Sequence, residues 1–283
     1  MHISPKAYFI YIFPFSTIVG VFIYQNLYLQ TNFGGQFIME KNVRSYEFTS
    51  AIIDYIKIAG ISVRKAIAEE PNTPVEVLEF LSKDKESSVR LSVAKNYSTP
   101  VQSLALLSKD ENFIVRENVA SNKNTSSEIL AELSMDENEI VRKKVVQNPN
   151  ASYKILTELS DDEDKYVRSC VAVTANTSLE IIAKLSDDEN KVVRSYVAAN
   201  ANTSAKILVK LSKDESSYVR GHVASNLSTP AEILIELSKD EDQDVRENVA
   251  QNPNTPIKII AKLSRDKVNS VRQSGRNALK HKS

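Results

Sequence analysis

The order of apolar and polar residues along this chain repeats every 26 residues. The dipeptide Val-Arg occurs nine times at that interval, from Val63-Arg64 to Val271-Arg272, without insertion or deletion. One repeat, residues 217–242, reads SYVRGHVASNLSTPAEILIELSKDED. Self-similarity at such a period predicts stacked structural units, because a single unit cannot bury its apolar face alone.

Each repeat predicts a short first helix. Val219, Val223 and Ala224 lie at i, i+4 and i+5, which places them on one face of a helix. This helix is expected to end near Asn226. A helix of this length is not stable alone in water, so its stability must come from stacking on neighbouring repeats.

A second helix follows a Ser-Thr-Pro turn in residues 217–242. Thr229 is predicted as its N-cap, with Pro230 at the first helical position and Glu232 closing a capping box. Its core-facing residues are predicted to be Ile233, Leu234 and Leu237. The position after the proline is also apolar in most repeats: Val75, Val101, Tyr153, Leu179, Ala205, Ala231 and Ile257. We therefore expect second helices to be packed on several sides and first helices to be the more accessible ones.

The string Asp-x-x-x-x-Val-Arg-x-x-Val-Ala, as in Asp214 to Ala224, is followed by a segment of the type Asn-Thr-Pro…Ile-Leu…Leu-Ser. In these residues the chain resembles the leucine-rich repeat variant and HEAT-like repeat families over residues 61–279. The resemblance implies an all-α fold, a right-handed α-solenoid of short helix pairs. Some leucine-rich repeat variant proteins carry a Cys-ligated iron–sulfur module. Cys170 is the single cysteine here, so we expect no such cofactor and no other.

The resemblance also implies a ladder of bonds between stacked repeats, since HEAT-like repeats use an Asp and an Arg six residues apart in this way. Arg64 begins the row without an Asp six residues before it. The other ladder candidates are Asp84, Arg90, Asp110, Arg116, Asp136, Arg142, Asp162, Arg168, Asp188, Arg194, Asp214, Arg220, Asp240, Arg246, Asp266 and Arg272. A phosphate-binding stripe is the alternative interpretation of the Arg row, and the acids at the same period favour ion pairing.

The ends of the repeat array differ from its middle. Residues 39–60 predict an amphipathic capping helix that closes at Gly60, before eight repeats over residues 61–268. Residues 269–283 contain a partial ninth repeat, in which Gly275 replaces the usual valine. Arg276, Lys280 and Lys282 give this C-terminal cap the polar outer surface that a terminal repeat requires.

Residues 1–38 form an apolar N-terminal segment with one charge, Lys6, and 10 of the 20 aromatic residues. If translated, residues 7–28 are long and apolar enough for a single-pass membrane anchor. The alternative is an untranslated extension with Met39 as the true start. Gly34-Gly35 permits a bacterial ribosome-binding site about ten nucleotides upstream of that codon, since three further codons intervene. A start at Met39 would make the protein cytoplasmic.

The composition argues against several function classes. With 36 basic and 36 acidic side chains, the chain lacks the positive charge of a nucleic-acid-binding protein. Three widely spaced histidines and one cysteine make a metal site improbable. No catalytic set can be defended, because His222 and Cys170, the candidate base and nucleophile, are two repeats apart. We therefore expect a protein that is not an enzyme.

An Asn row ends the first helices. It could recognise bases or peptide backbone, but asparagine at a helix end more often adopts a left-handed conformation or bonds local backbone. We expect it to form turns. The row consists of Asn96, Asn122, Asn148, Asn200, Asn226 and Asn252.

The favoured function is a monomeric interaction scaffold that binds a protein partner on its superhelical surface. The alternatives are a HEAT-like nucleic-acid-binding or base-repair protein and an accessory subunit of the lyase or chaperone type. We expect the partner on the first helices of repeats five to seven, whose outer face turns apolar and aromatic between polar ends. The other interpretation is that these rings pack between adjacent repeats. The predicted binding residues are Tyr166, Cys170, Val173, Val192, Tyr196, Tyr218 and His222.

Overall fold

A computed structural model describes residues 41–282, with the side chains of residues 49–50 and 52–281, and this part of the chain is all helical between its turns. It begins with helix α1 (Lys41–Ile58). The first helices of the repeats are α2 (Ile61–Glu69), α4 (Ser87–Lys95), α6 (Phe113–Ser121), α8 (Glu139–Gln147), α10 (Lys165–Val173), α12 (Lys191–Ala199), α14 (Ser217–Ser225), α16 (Gln243–Gln251) and α18 (Asn269–Lys282). The second helices are α3 (Val75–Leu81), α5 (Val101–Leu107), α7 (Ser127–Leu133), α9 (Tyr153–Leu159), α11 (Leu179–Leu185), α13 (Ala205–Leu211), α15 (Ala231–Leu237) and α17 (Ile257–Leu263).

The described chain divides into two compact units after Thr125. The first unit contains α1 to α6 and the second contains α7 to α18. Within each unit, first helices begin every 26 residues and pack directly against one another, whereas second helices lie further apart. The predicted all-α solenoid is therefore confirmed in both units.

The apolar positions of the repeat form the core. In repeat seven Val219, Val223 and Ala224 of the first helix have no exposed surface. In its second helix Leu234 is fully buried and Leu237 is 4% exposed. These residues confirm the predicted core stripes of both helices.

The position after the proline, which the sequence predicts to be packed, is exposed in most second helices. The structure leaves Val75, Val101, Tyr153, Leu179 and Ile257 between 43% and 61% exposed, so this side of the second helices is not packed as expected. The cause is the wider spacing of second helices, which leaves this position without a neighbour to cover it.

The second helix also begins one residue later than predicted. Pro230 is the N-cap residue, and its carbonyl accepts hydrogen bonds from the amides of Ile233 and Leu234. Thr229 is buried and its hydroxyl donates to the Val223 carbonyl at 2.6 Å, so it does not cap α15. This bond gives a second donor to a carbonyl in the last turn of the first helix, which also accepts from the Asn226 amide.

An arginine fork joins the turn before a repeat to the turn at its end. Nε and Nη2 of Arg194 donate to the two carboxylate oxygens of Asp214, at 2.6 and 2.9 Å. Its Nη1 donates to the Asp188 carbonyl at 2.8 Å. The same two-bond contact, with Nε–Oδ2 distances of 2.5–2.9 Å, joins Arg64–Asp84, Arg90–Asp110, Arg142–Asp162, Arg168–Asp188, Arg220–Asp240 and Arg246–Asp266.

The fork explains the spacing of six residues in the sequence. The Asp six residues before each Arg offers its backbone carbonyl, as Asp110 does to Arg116 and Asp136 to Arg142. The carboxylate that pairs with an Arg lies 20 residues later, at the end of the same repeat, whereas the carbonyl belongs to the preceding repeat. Arg64, at the start of the row, uses the Ala59 carbonyl instead, and Arg272, at its end, uses those of Asp266 and Lys267.

The Asn row forms a second set of bonds across repeats. The side-chain amide of Asn226 donates to the carbonyls of Ala198 and Asn200, at 2.7 and 3.0 Å. Its Oδ1 accepts from the Ser228 amide, the local bond that was predicted. Its backbone is extended, with a φ of −71°, so of the two predicted forms of the turn Asn226 adopts the local backbone bond and not the left-handed conformation. Asn96, Asn122, Asn200 and Asn252 make cross-repeat bonds of the same type.

Helices α1 and α18 lie at the two ends of the described chain. Helix α1 packs against α3 and buries Ile52 and Ile56. Helix α18 packs against α16 and α17. Gly275 sits so close to the end of α17 that an added methyl group would lie 2.6 Å from the Ser264 amide nitrogen. This contact requires glycine where the other repeats have valine or isoleucine.

No helix in the described range 41–282 is both long and apolar enough to cross a membrane. The predicted anchor, residues 7–28, lies outside the described residues.

We expect Arg194→Ala to lower the free energy of unfolding by roughly 1–3 kcal/mol, because it strips the fork from a carboxylate that is 7% exposed. Arg272→Ala is the matched control, since this guanidinium bonds to the carbonyls of Asp266 and Lys267 and to the Asn269 side chain rather than to a carboxylate, and a loss below about 1 kcal/mol is expected. Urea unfolding measures both. An Arg194→Ala variant as stable as the wild type would show that the fork contributes nothing.

The forks also predict a loss of stability in acid. Burial alone would raise the pKa of Asp214, but hydrogen bonds from Arg194 and the Ser216 amide outweigh burial and lower it. The pKa values of Asp84 and Asp266 are lowered too. A lowered folded-state pKa stabilises the fold above the unfolded value, about 4, and this contribution is lost as the pH falls further. Urea unfolding at pH 7, 5 and 3 should show the loss below pH 5, and Asp214→Asn should make it smaller.

Gly275→Ala is expected to destabilise the protein by about 1–3 kcal/mol, because the new methyl group meets backbone atoms that cannot turn aside. Gly221→Ala is the control. Its methyl group would meet the Asn248 side-chain nitrogen at 3.3 Å, which can move, so stability should stay equal or rise by up to about 1 kcal/mol. Thermal melts measure both variants, and a lower melting temperature for Gly221→Ala than for Gly275→Ala would contradict this prediction.

Candidate partner-binding surface

The predicted binding residues lie on three neighbouring helices of the second unit. Helices α10, α12 and α14 pack side by side. Each carries its residues on the face turned away from the buried valines. We call this surface the aromatic patch, and it consists of Tyr166, Cys170, Val173, Val192, Tyr196, Tyr218 and His222.

The rings of the patch are accessible. Tyr166 and Tyr218 are each 52% exposed, and Tyr196 is 41% exposed. Val173 is 48% exposed, whereas Cys170, Val192 and His222 are half-buried. The tyrosines therefore keep about half of their surface available for contact, although they also touch neighbouring groups.

Two ring contacts order the patch. The rings of Tyr218 and His222 meet edge to face, with centroids 4.8 Å apart. The ammonium of Lys165 lies 5.1 Å from the centroid of the Tyr166 ring. Both are favourable geometries for aromatic side chains, and they limit the rotamers of the two outermost tyrosines.

Small residues beneath the patch were missed in the sequence. Ser169, Ser195 and Gly221 precede Cys170, Tyr196 and His222, and each is buried. Gly221 lies under Asn248 of the next repeat, whose amide donates to the Gly221 carbonyl at 3.2 Å. Tyr196 and Ser169, and His222 and Ser195, occupy the same two positions of consecutive repeats as Asn248 and Gly221, 27 residues apart. The signal in the sequence was the change from Leu91, Glu117 and Lys143 to these small side chains.

A shallow open depression of about 320 Å³ lies at the α16 end of the patch. Tyr218 and His222 line one side, and Asp242 and Asp244 line the other, with Gly221 and Asn248. Asp242 caps α16 and accepts from the Asp244 amide. Hydrogen bonds from Ser217 and this amide lower the pKa of Asp242, whereas burial lowers the pKa of His222. At neutral pH the depression therefore carries the ionised carboxylate of Asp242 beside an uncharged imidazole.

The opposite end of the patch is basic. The charges of Lys143 and Lys144 on α8, and that of Asp164, influence the pKa of Cys170. Burial raises the pKa of the Cys170 thiol and outweighs the two lysines, which lower it. The thiol is therefore protonated at neutral pH and is a weak nucleophile. Ile140, half-buried on α8, extends the apolar surface in this direction.

The chemical groups of the patch are spread over separate helices. In the described part of the chain, no three His, Cys, Asp or Glu side chains are placed to share a metal ion. His222 and Cys170 lie on α14 and α10, with α12 between them. Exposed rings, an apolar middle and charged ends are the parts of a protein-binding surface.

The fold has solved counterparts, although no protein-family model and no curated protein sequence matches this chain. A leucine-rich repeat variant with a novel repetitive structural motif is similar, with a TM-score of 0.61 and 21% identity. The match covers 86% of this chain and 100% of that one. It shows the helical-repeat fold, so the predicted resemblance to leucine-rich repeat variants is confirmed for the fold.

Two further solved structures are more distant. The Escherichia coli protein YibA has a TM-score of 0.43 and 15% identity, over 88% of this chain and 99% of YibA. Computationally designed armadillo repeat proteins for modular peptide recognition have a TM-score of 0.27 and 14% identity, over 81% of this chain and 98% of theirs.

Proposed function

We propose that this protein is a non-enzymatic scaffold that binds a protein partner on the aromatic patch. Helical repeat folds are typical of interaction scaffolds, because stacking creates an extended surface from many short elements. The proposal names one part of that surface, the outer face of α10, α12 and α14.

One observation carries the proposal: three tyrosines on three consecutive first helices are each between 41% and 52% exposed. Tyrosine is enriched in protein interfaces, where its ring supplies contact area and its hydroxyl a hydrogen bond. On the α16 side, the flanking repeat places the polar side chains of Asp244 and Asn248 on this face. An apolar centre with a polar rim is typical of a contact surface.

The charges of this surface favour a protein over a nucleic acid. A nucleic-acid interface needs a basic stripe that follows the phosphates. The lysines at the α8 end are balanced by Asp242 and Asp244 at the other end. The test below also includes a step that would detect a nucleic-acid partner.

The test compares two pairs of tyrosine substitutions in the full chain, each used as bait in affinity capture. Tyr166→Ser with Tyr218→Ser removes the two most exposed rings of the patch. This variant should capture at least about tenfold less of the wild-type partner, because a central interface tyrosine contributes 1 kcal/mol or more. Melting temperatures should stay within about 2 °C, since both rings are surface residues.

The matched control replaces two equally accessible tyrosines elsewhere, Tyr97→Ser with Tyr153→Ser, which are 66% and 54% exposed. It should capture as much partner as the wild type. Equal loss with both variants, or full capture by the patch variant, would contradict the proposal. Capture that disappears after nuclease treatment would show that the partner is a nucleic acid.

A further inference from the structure

The aromatic patch carries carboxylates at its α16 end and ammonium groups on two of its three helices, α10 and α12. Asp242 and Asp244 stand at the α16 end, whereas Lys165 and Lys191 begin α10 and α12. A partner that lies along the patch therefore meets carboxylates at one end and ammonium groups at the other. Such an arrangement selects both the charge pattern and the direction of the partner.

The depression at the acidic end has the chemistry of a cation site. Its walls are the Tyr218 and His222 rings, set 89° apart, and its rim holds the carboxylates of Asp242 and Asp244. A guanidinium or ammonium group placed there would lie against aromatic faces while its N–H groups donate to carboxylates. A carboxylate or phosphate would be repelled by the same rim.

The surroundings leave this site open to a cation. Asp244 is exposed in the first turn of α16. The imidazole of His222 is uncharged at neutral pH because burial lowers its pKa, so it does not repel a positive group. At about 320 Å³ the depression can hold one side chain, not a folded domain.

The spacing of the helices sets the length of the occupant. Packed helices lie about 8–10 Å apart, so two to three steps from α16 to α12 or α10 span roughly 16–30 Å. An extended chain covers about 3.3 Å per residue, which corresponds to about five to nine residues.

We propose that the partner presents an extended segment whose Arg or Lys side chain occupies the Tyr218–His222–Asp242–Asp244 depression and whose acidic side chain, about five to nine residues away, contacts Lys165 and Lys191. This rests on the proposed function, because it names the chemistry of the partner for the same surface.

The test uses four pools of fluorescent nonapeptides with a random apolar and aromatic middle. Their end residues are Arg and Glu, Arg and Ala, Ala and Glu, or Ala and Ala, in both orders. By fluorescence anisotropy, the full chain should bind the better Arg–Glu order about tenfold more tightly than the Ala–Ala pool, equivalent to about 1.4 kcal/mol.

Charge reversals locate the site. Asp244→Lys should abolish the preference for Arg, and Lys191→Glu should abolish the preference for Glu. The matched control is Glu232→Lys, which makes the same charge change in the first turn of the second helix α15, and should leave both preferences intact. Asp242 stays unchanged because it caps α16.

The outcomes separate this inference from the proposed function. Equal binding of all pools, or an Arg preference that survives Asp244→Lys, would overturn the inference. If the tyrosine variant still lost the captured partner, the proposed function would stand. Binding of spermidine that Asp244→Lys abolishes, without any preference among the pools, would show a site for free small cations and would also overturn the inference.

Discussion

The arginine fork is the interaction on which the rest of the structure depends. A forked guanidinium bonds to the turn that precedes its own helix, in the preceding repeat, and to the carboxylate at the end of its own repeat, as Arg194 does with Asp188 and Asp214. Helices of seven and nine residues have little stability of their own, so the array exists only where repeats fit together. The fork fixes that fit with directional bonds at a partly buried site.

The Asn and Thr rows extend this principle to the buried ends of the helices. An apolar core tolerates small slips, because dispersion contacts have little direction, whereas a hydrogen bond loses strength steeply when its angle changes. Asn226 ties its turn to two carbonyls of the preceding repeat, and Thr229 closes the end of its own first helix. Among the described residues, every buried side-chain nitrogen and oxygen finds a partner.

The core and the tyrosine positions of the patch could be predicted because they follow from a strict period. Val219, Val223 and Leu234 repeat at fixed positions, and helical geometry then decides which face they occupy. The carbonyls that Asn226 meets could not be predicted, because they depend on the offset between stacked helices. The exposure of Leu179 and the depression beside Tyr218 also depend on helix spacing, which a single repeat does not contain.

The cross-repeat bonds also make the chain modular in its length. A forked Arg bonds to a carboxylate 20 residues later and to a carbonyl six residues earlier, and Asn226 bonds to carbonyls 26 and 28 residues earlier. The carbonyl contacts each cross one repeat boundary. Removing or duplicating a segment of 26 residues therefore leaves every Arg facing an Asp and every Asn facing a carbonyl. Removing or duplicating 25 residues instead would shift the Arg, Asp and Asn residues at the junction by one position relative to their partners. Such a gene can vary in length by whole repeats while the aromatic patch, confined to three of them, is inherited unchanged.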